Sequence, residues 1–306
     1  MQKHLTYISL VLLLIALVTL TQCGSSGRTG DEEIKIDTNE MKLAQITYDS
    51  DAINEIIESF SSPVEMAALL NNLDVPFSKK YLVNTEEATD YSTNFKKALA
   101  LGILSADLGY LNVYNKTSQI VEYLSVIKRL ADDLKVGQFF DFQTLKRLAT
   151  SNENLDSLLI LSVQSYHNMD EHLRNNQRSN LSALVVTGVW IESLYLATQV
   201  LDESFNATLK DRVGEQKTIL NNLLPILKLF KNDENFERLI EDFQELKDAY
   251  EDVKISYEVG EPESKLNEKG ELIIIQNEVS IVEVTPEQLK EIIRITEKVR
   301  NKLIAL

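Results

Sequence analysis

Cysteine is nearly absent from this sequence. Cys23 is the only one, which excludes a disulfide framework and a cysteine-based zinc site. Histidine is almost as scarce, with His4, His167 and His172 alone, so histidine-based chemistry has little to draw on. Ten Gly and five Pro in 306 residues are few, and a chain poor in both breakers favours long helices. Cations are short too: 31 Lys and Arg against 47 Asp and Glu leave a net charge of −16. That balance argues against nucleic acid as a partner, because phosphate contacts need clustered cations. What the chain does have is 44% hydrophobic and 25% charged residues, a globular composition able to bury a core.

At the N-terminus, Lys3 precedes a mostly apolar stretch over residues 5–20, followed abruptly by Gly and Ser. The stretch is shorter than the roughly 20 apolar residues of a membrane span, and the combination reads as a secretory signal over residues 1–22. Leu20-Thr21-Gln22-Cys23-Gly24 stand at the junction. They resemble the lipobox of bacterial lipoproteins, whose cysteine takes a diacylglycerol on its thiol and becomes the new N-terminus. Leu20 and Thr21 fit that motif; Gln22 stands where Gly, Ala or Ser is usual. The resemblance implies lipidation at Cys23 and a membrane partner through that anchor. Gly24 is not the Asp that commonly retains such proteins in the inner membrane, so the outer membrane, periplasmic face, is the expected location. The alternative is a free cysteine ending an ordinary signal peptide or a single-span anchor. Residues 23–50, opening with Gly and Ser, read as a flexible tether.

Residues 51–306 read as a mainly α domain, an antiparallel bundle of about eight to nine helices. No proline occurs between Pro76 and Pro225. A short helix is expected at 51–60, and Ser62-Pro63-Val64-Glu65 is a capping box opening another to about residue 73. Then come helices at 92–114, 117–134, 141–149, 154–177, 180–203, 206–231 and 233–252. Gly137 is expected to stop the second of these, and Pro225 to kink the sixth. Breaks this short return each helix antiparallel to its neighbour. After residue 253 the pattern becomes β-prone at 254–259, 272–275 and 279–284, with 260–270 a polar loop: a small hairpin or meander. Thr285-Pro286-Glu287-Gln288 opens a last amphipathic helix to residue 305, with Leu289, Ile292, Ile293, Val299 and Leu303 on one side. A tetratricopeptide array is rejected, because its period and signature are missing.

Two helices are apolar nearly all round and therefore central: residues 98–113 and 184–201. In the first, Ala98, Gly102, Ala106 and Gly109 fall within about 80° of one another, a stripe suited to close helix approach or to a ligand groove. Each central helix carries one carboxylate, Asp107 and Glu192. Buried carboxylates are costly unless paired, so these two either meet cations such as Lys128, Arg129 or Arg147, or line an internal site as ligands or an acid/base pair. They are the candidate ligand-binding residues. The di-iron bundle signature Glu-x-x-His is missing, since neither His167 nor His172 has a Glu three residues before it. These histidines lie about 140° apart on one helix; Glu171, four after His167, offers at most a surface metal pair on a segment, 166–178, that reads as a solvated helix end. Phe139, Phe140 and Phe142 either seal a helix connection or present a partner patch. Asn115, Asn180 and Asn206 open glycosylation sequons that fall where helix caps are expected. No catalytic-site or metal motif is found, and no cofactor is implied.

The order of the Cys23 tether, the capped SSPVEMAALL segment, TNFKKALALGILSADLGY, VGQFFDFQTLKRLA and the LDSLL helix is similar to uncharacterised helical lipoproteins of Bacteroidota, over roughly residues 61–300. That resemblance implies location and fold but no activity. The expected function is a non-enzymatic binding or scaffold module of the cell envelope, with another envelope protein as partner. The alternatives are a small-ligand or metal carrier with a pocket between the central helices, and a hydrolase without a recognisable motif.

Overall fold

Helix α1 (Asn94–Val113) starts where Thr93 accepts a hydrogen bond from the Lys96 amide, satisfying one of the free donors of the first turn. It is followed by α2 (Thr117–Asp133), α3 (Phe142–Thr150), α4 (Leu155–Asn175), α5 (Ser179–Glu203), α6 (Ala207–Lys228) and α7 (Glu234–Ala249). Strands β1 (Lys254–Val259), β2 (Glu263–Leu266), β3 (Leu272–Ile275) and β4 (Glu278–Glu283) precede the last helix, α8 (Pro286–Ala305). Asn206 caps α6 through the Leu209 amide, and Asp233 caps α7 through the amides of Asn235 and Phe236. At α8 the capping box is reciprocal: the Thr285 amide donates to Gln288 Oε1 at 2.7 Å, and the Gln288 amide to Thr285 Oγ1 at 3.2 Å. This computed structural model describes residues 75–86, 91–150, 155–260, 263–266, 272–275 and 278–305. All of them belong to the unit Thr38–Leu306. Cys23, its tether and the helices expected at 51–60 and 62–73 lie outside the described residues.

The scarcity of glycine is met in an unexpected way at three helix ends. Asn115, Lys135 and Gln177 adopt the left-handed conformation, with φ of 55°, 60° and 58°. The next amide in each case bonds back over the turn, Lys116 to the Leu111 carbonyl (2.9 Å), Val136 to Ala131 (2.8 Å) and Arg178 to Leu173 (2.7 Å). These are Schellman stops made without glycine. The stop of α2 is thus Lys135, two residues before the Gly137 expected from the sequence. Of the three sequon asparagines only Asn206 is an N-cap: Asn115 is a C-terminal stop, and Asn180 lies inside α5, whose N-cap is Arg178. Helix α6 runs through Pro225 to Lys228.

Helix α5 is the centre of the bundle. It packs against α1, α4, α6 and α8, while α2 and α3 extend the layer beside α1 and α4, and α7 bridges α6 and α8. Its length and apolarity would suit a membrane span, but 89% of its most apolar window is buried by these neighbours. Trp190 illustrates the arrangement: fully buried on α5, it donates to Gln216 of α6 at 3.0 Å and meets the tilted ring of Phe243 of α7 at 5.6 Å. The close approach expected of small residues is made at Gly102 and Gly188, where α1 and α5 cross backbone to backbone. Gly109, in the same stripe, is exposed with open space beside it.

The β element is an interrupted hairpin and not a meander. β1 pairs antiparallel with β4, and β2 with β3, so the second ladder is nested inside the first. Residues 263–266, expected to belong to a loop, are a strand because Leu272–Ile275 supplies a ladder partner. Val282 of β4 is buried against Gly214 of α6, which fixes the base of the hairpin on the bundle. Further out along β1, Tyr257 and Val259 are exposed.

Candidate functional site

Residues 75–86 cross the bundle as a strap with no α-helix or strand, holding one 3-10 turn at Lys79–Tyr81 and a turn at Thr85–Glu86. Val75, Tyr81, Val83 and Thr85 point inward and are buried, whereas Lys79, Lys80, Asn84 and Glu86 are exposed, so the strap is one residue thick. A buried segment of this kind needs partners for its backbone polar groups. Here side chains of the helices provide them. Tyr114, the C-cap of α1, donates to the Val75 carbonyl (3.1 Å), and the Ser78 amide donates to Tyr110 Oη (3.2 Å). The Val83 amide donates to Asp107 Oδ2 (3.0 Å), and Tyr123 of α2 donates to the Val83 carbonyl (2.5 Å). Thr85 is bound by Glu122, and Arg300 of α8 donates to the Tyr81 carbonyl at 2.8 Å.

Beneath the strap, Asp107, Glu192 and Arg300 come together from α1, α5 and α8. Both carboxylates are fully buried and Arg300 is 4% exposed. Arg300 grips Glu192 with two parallel bonds, Nε to Oε2 at 2.9 Å and Nη2 to Oε1 at 2.8 Å, the planar fork matching the carboxylate. Its guanidinium carbon also sits 4.4 Å from the ring centre of Tyr195, and Nη1 reaches Asn301 at 3.3 Å. Asp107 Oδ1 is buried and accepts from no donor, and the Asp107 and Glu192 carboxyls share a hydrogen bond that a proton on Asp107 supplies.

One guanidinium therefore faces two carboxyl groups. Burial first, and then the charge of Glu192, push the Asp107 carboxyl well above the usual carboxylate range. Burial raises Glu192 as well, but its bonds to Arg300 pull it back. Of the two acids, Asp107 holds the proton, which leaves a neutral acid beside a closed ion pair.

The two carboxylates singled out in the sequence are thus neighbours at one centre. Their cation is Arg300, not Lys128, Arg129 or Arg147: Lys128 pairs with Asp132 at 2.6 Å, and Arg129 and Arg147 face solvent. A third buried acid, Asp170, lies in the stretch 166–178 that reads as a solvated helix end. It accepts from Ser182 of α5 (2.5 Å) and from Arg174 (2.8 Å), while Tyr166 meets Ser182 at 2.8 Å, tying α4 to α5. Met169 and Leu173, on the same face as Asp170, are the signal that this stretch packs inward.

No protein-family model, curated protein or solved structure matches the chain. The site is accordingly read on its own geometry. Among the described residues no three metal-ligating side chains gather at one point. His172 lies half-buried with its ring 4.8 Å from that of Phe139, while His167 sits 6.4 Å from Tyr166. Phe139, Phe140 and Phe142 are half-buried against the core, where they close the connection between α2 and α3.

Proposed function

We propose that this chain is a lipid-anchored protein of the bacterial cell envelope, at the periplasmic face of the outer membrane, whose helical body is a non-enzymatic binding or scaffold module. The anchor reading rests on the apolar run that ends at Leu20-Thr21-Gln22-Cys23-Gly24 and on the resemblance to helical lipoproteins of Bacteroidota. The observation that carries the non-enzymatic reading is the bond pattern of the buried centre: Glu192 is closed by a two-toothed Arg300, and Asp107 is bound to the strap. Those polar groups hold the architecture together. Another envelope protein is the expected partner, and the exposed apolar side chains Ile160, Phe205, Tyr257 and Val259 offer surface for it.

The test is fractionation of cells fed a labelled fatty acid. Label and membrane association should both follow the full-length protein and both vanish in Cys23→Ser. Membrane association that survives in Cys23→Ser would overturn the lipid anchor. Chemical cross-linking of whole cells should then give one reproducible neighbouring protein; its absence at matched expression would overturn the scaffold reading.

A second reading, a small-ligand or metal carrier between the central helices, has one observation in its favour, two fully buried carboxyl groups, Asp107 and Glu192, beside a single guanidinium. Native mass spectrometry of the full-length protein distinguishes it. A discrete extra mass, lost in the Asp107→Asn, Glu192→Gln double variant while the fold persists, would establish the carrier.

A further inference from the structure

The geometry points to a proton-operated latch: with Asp107 neutral, the strap of residues 75–86 stays closed over the Glu192–Arg300 pair, and with Asp107 charged it lifts to admit water. Three observations carry this. The first is stoichiometry at full burial, two carboxyl groups against one guanidinium, so ionising Asp107 leaves one uncompensated negative charge in the core. The second is that Asp107 Oδ1 accepts from no donor, while the hydrogen bond that Asp107 makes to Glu192 needs its proton and is lost on ionisation. The third is the cover. On the strap side the carboxyl is met by one segment outside the helices, where Val83 bonds it and the next residue, Asn84, is exposed, whereas α1, α5 and α8 are whole helices. Hydrating the charge by lifting one such segment costs far less than separating α1 from α5, and local openings follow the weakest element.

The groups that face Asp107 are accounted for on each element. From α2 comes Tyr123, with Glu122 bound to Thr85 of the strap. Helix α5 presents Glu192 and Tyr195, and α8 presents Arg300, with Glu297 acting on Tyr195. The strap contributes the Val83 amide; its Tyr81 phenol lies instead beside Tyr110 and Glu203. Burial keeps the phenols of Tyr81, Tyr123 and Tyr195 above their ordinary range, so they stay neutral where Asp107 titrates. Glu192 is held as the charged partner of Arg300, which leaves Asp107 as the titrating member. On opening, its proton passes to solvent water or hydroxide. The Val83 amide bond, which favours the charged carboxylate and so opposes opening, is exchanged for water together with the strap's other bonds, and hydration of the charge has to outweigh that loss.

The strap is also where the segment behind the proposed anchor enters the described fold. Each residue released lengthens that connection by up to about 3.5 Å. This consequence rests on the anchor reading; the latch does not.

Lys79 and Lys80 lie exposed on the strap, so trypsin reports its opening directly. Full-length protein, wild type and Asp107→Asn, is digested from about pH 7 to about pH 9, each rate normalised to a small peptide substrate, with cuts after Lys79 and Lys80 followed by mass spectrometry. Opening linked to one proton makes the wild-type cut faster by up to about tenfold per pH unit, with no such rise in Asp107→Asn. Trp190 fluorescence should stay native throughout. Should the variant fail to fold, infrared spectroscopy of the wild type replaces it: a carboxylic-acid carbonyl band must disappear over the same pH range in which the cuts accelerate. Cleavage that does not rise with pH, an equal rise in Asp107→Asn, a rise accompanied by loss of native Trp190 fluorescence, or the absence of that band at neutral pH would each overturn the latch.

Discussion

Gly102 and Gly188 face each other across the crossing of α1 and α5. A Cβ on Gly102 would lie 2.1 Å from the Val185 carbonyl oxygen, and one on Gly188 would lie 2.3 Å from that of Leu99. The obstacles are backbone atoms of the facing helix, so neither side can yield without moving a whole element. Gly102→Ala and Gly188→Ala should each cost about 1–3 kcal/mol by overpacking. Gly109→Ala, in the same stripe but beside open space, should instead stabilise the protein by about 0.5–1 kcal/mol, the backbone entropy of a helical glycine. Urea unfolding followed by Trp190 fluorescence separates the three; equal effects would mean that the helices do not cross at these glycines.

The Glu192–Arg300 pair gives an asymmetric expectation. Removing one partner, as in Arg300→Met, leaves a buried charge without compensation and should cost about 3–5 kcal/mol. Replacing both, as in Glu192→Gln with Arg300→Met, removes the charge problem and should recover much of that loss. A double-mutant cycle in urea measures the difference. A double variant as unstable as Arg300→Met alone would show that packing of the guanidinium on Tyr195, and its bond to the Tyr81 carbonyl, matter more than the charges.

Much of this arrangement can be read from the sequence. Asp107 and Glu192 stand out as lone carboxylates in helices that are apolar all round, and both proved fully buried. Arg300 was legible in principle: it follows Leu289 by eleven residues, within about 20° of it around a helix, and so sits on the buried face of α8. An apolar stripe draws attention away from the one cation inside it. The strap was not legible. Its inward alternation, Tyr81, Val83 and Thr85, is too short to stand out, and its partners are side chains far away in the chain, such as Arg300 bonded to the Tyr81 carbonyl across 219 positions. Strand β2, Glu-Ser-Lys-Leu, was hidden for a related reason, since what makes it a strand is its ladder with β3 and not its own composition.

Lys135 and Gln177 hold left-handed conformations that non-glycine residues enter at a cost of roughly 1–2 kcal/mol. Both side chains are exposed, so little packing is lost when they are removed. Lys135→Gly and Gln177→Gly should each stabilise the protein by up to about 1 kcal/mol, the relief of strain being partly offset by a more flexible unfolded chain. Asn115→Gly should gain less, because Asn tolerates this region better. Thermal unfolding ranks the three; a loss of stability at Lys135→Gly would mean that its ordinary side chain makes a contact worth more than the strain.

Stability should also depend on pH through Asp107. Its carboxyl is held well above the ordinary range by burial and by the charge of Glu192, so the folded chain binds this proton more tightly than the unfolded chain does. The contribution is complete below the unfolded carboxylate range, near pH 4, and is lost progressively as pH rises toward the folded value. Asp107→Asn keeps the shape, carries no ionisable group, and can still accept from the Val83 amide through its carbonyl. The variant should therefore gain stability relative to the wild type as pH rises, most of all on the alkaline side, with little difference near pH 4. Urea midpoints of the two proteins, taken from about pH 4 to about pH 9, test this. Curves that run parallel across the whole range would show that Asp107 has the same proton affinity folded and unfolded, and that the buried centre holds its charge in some other way.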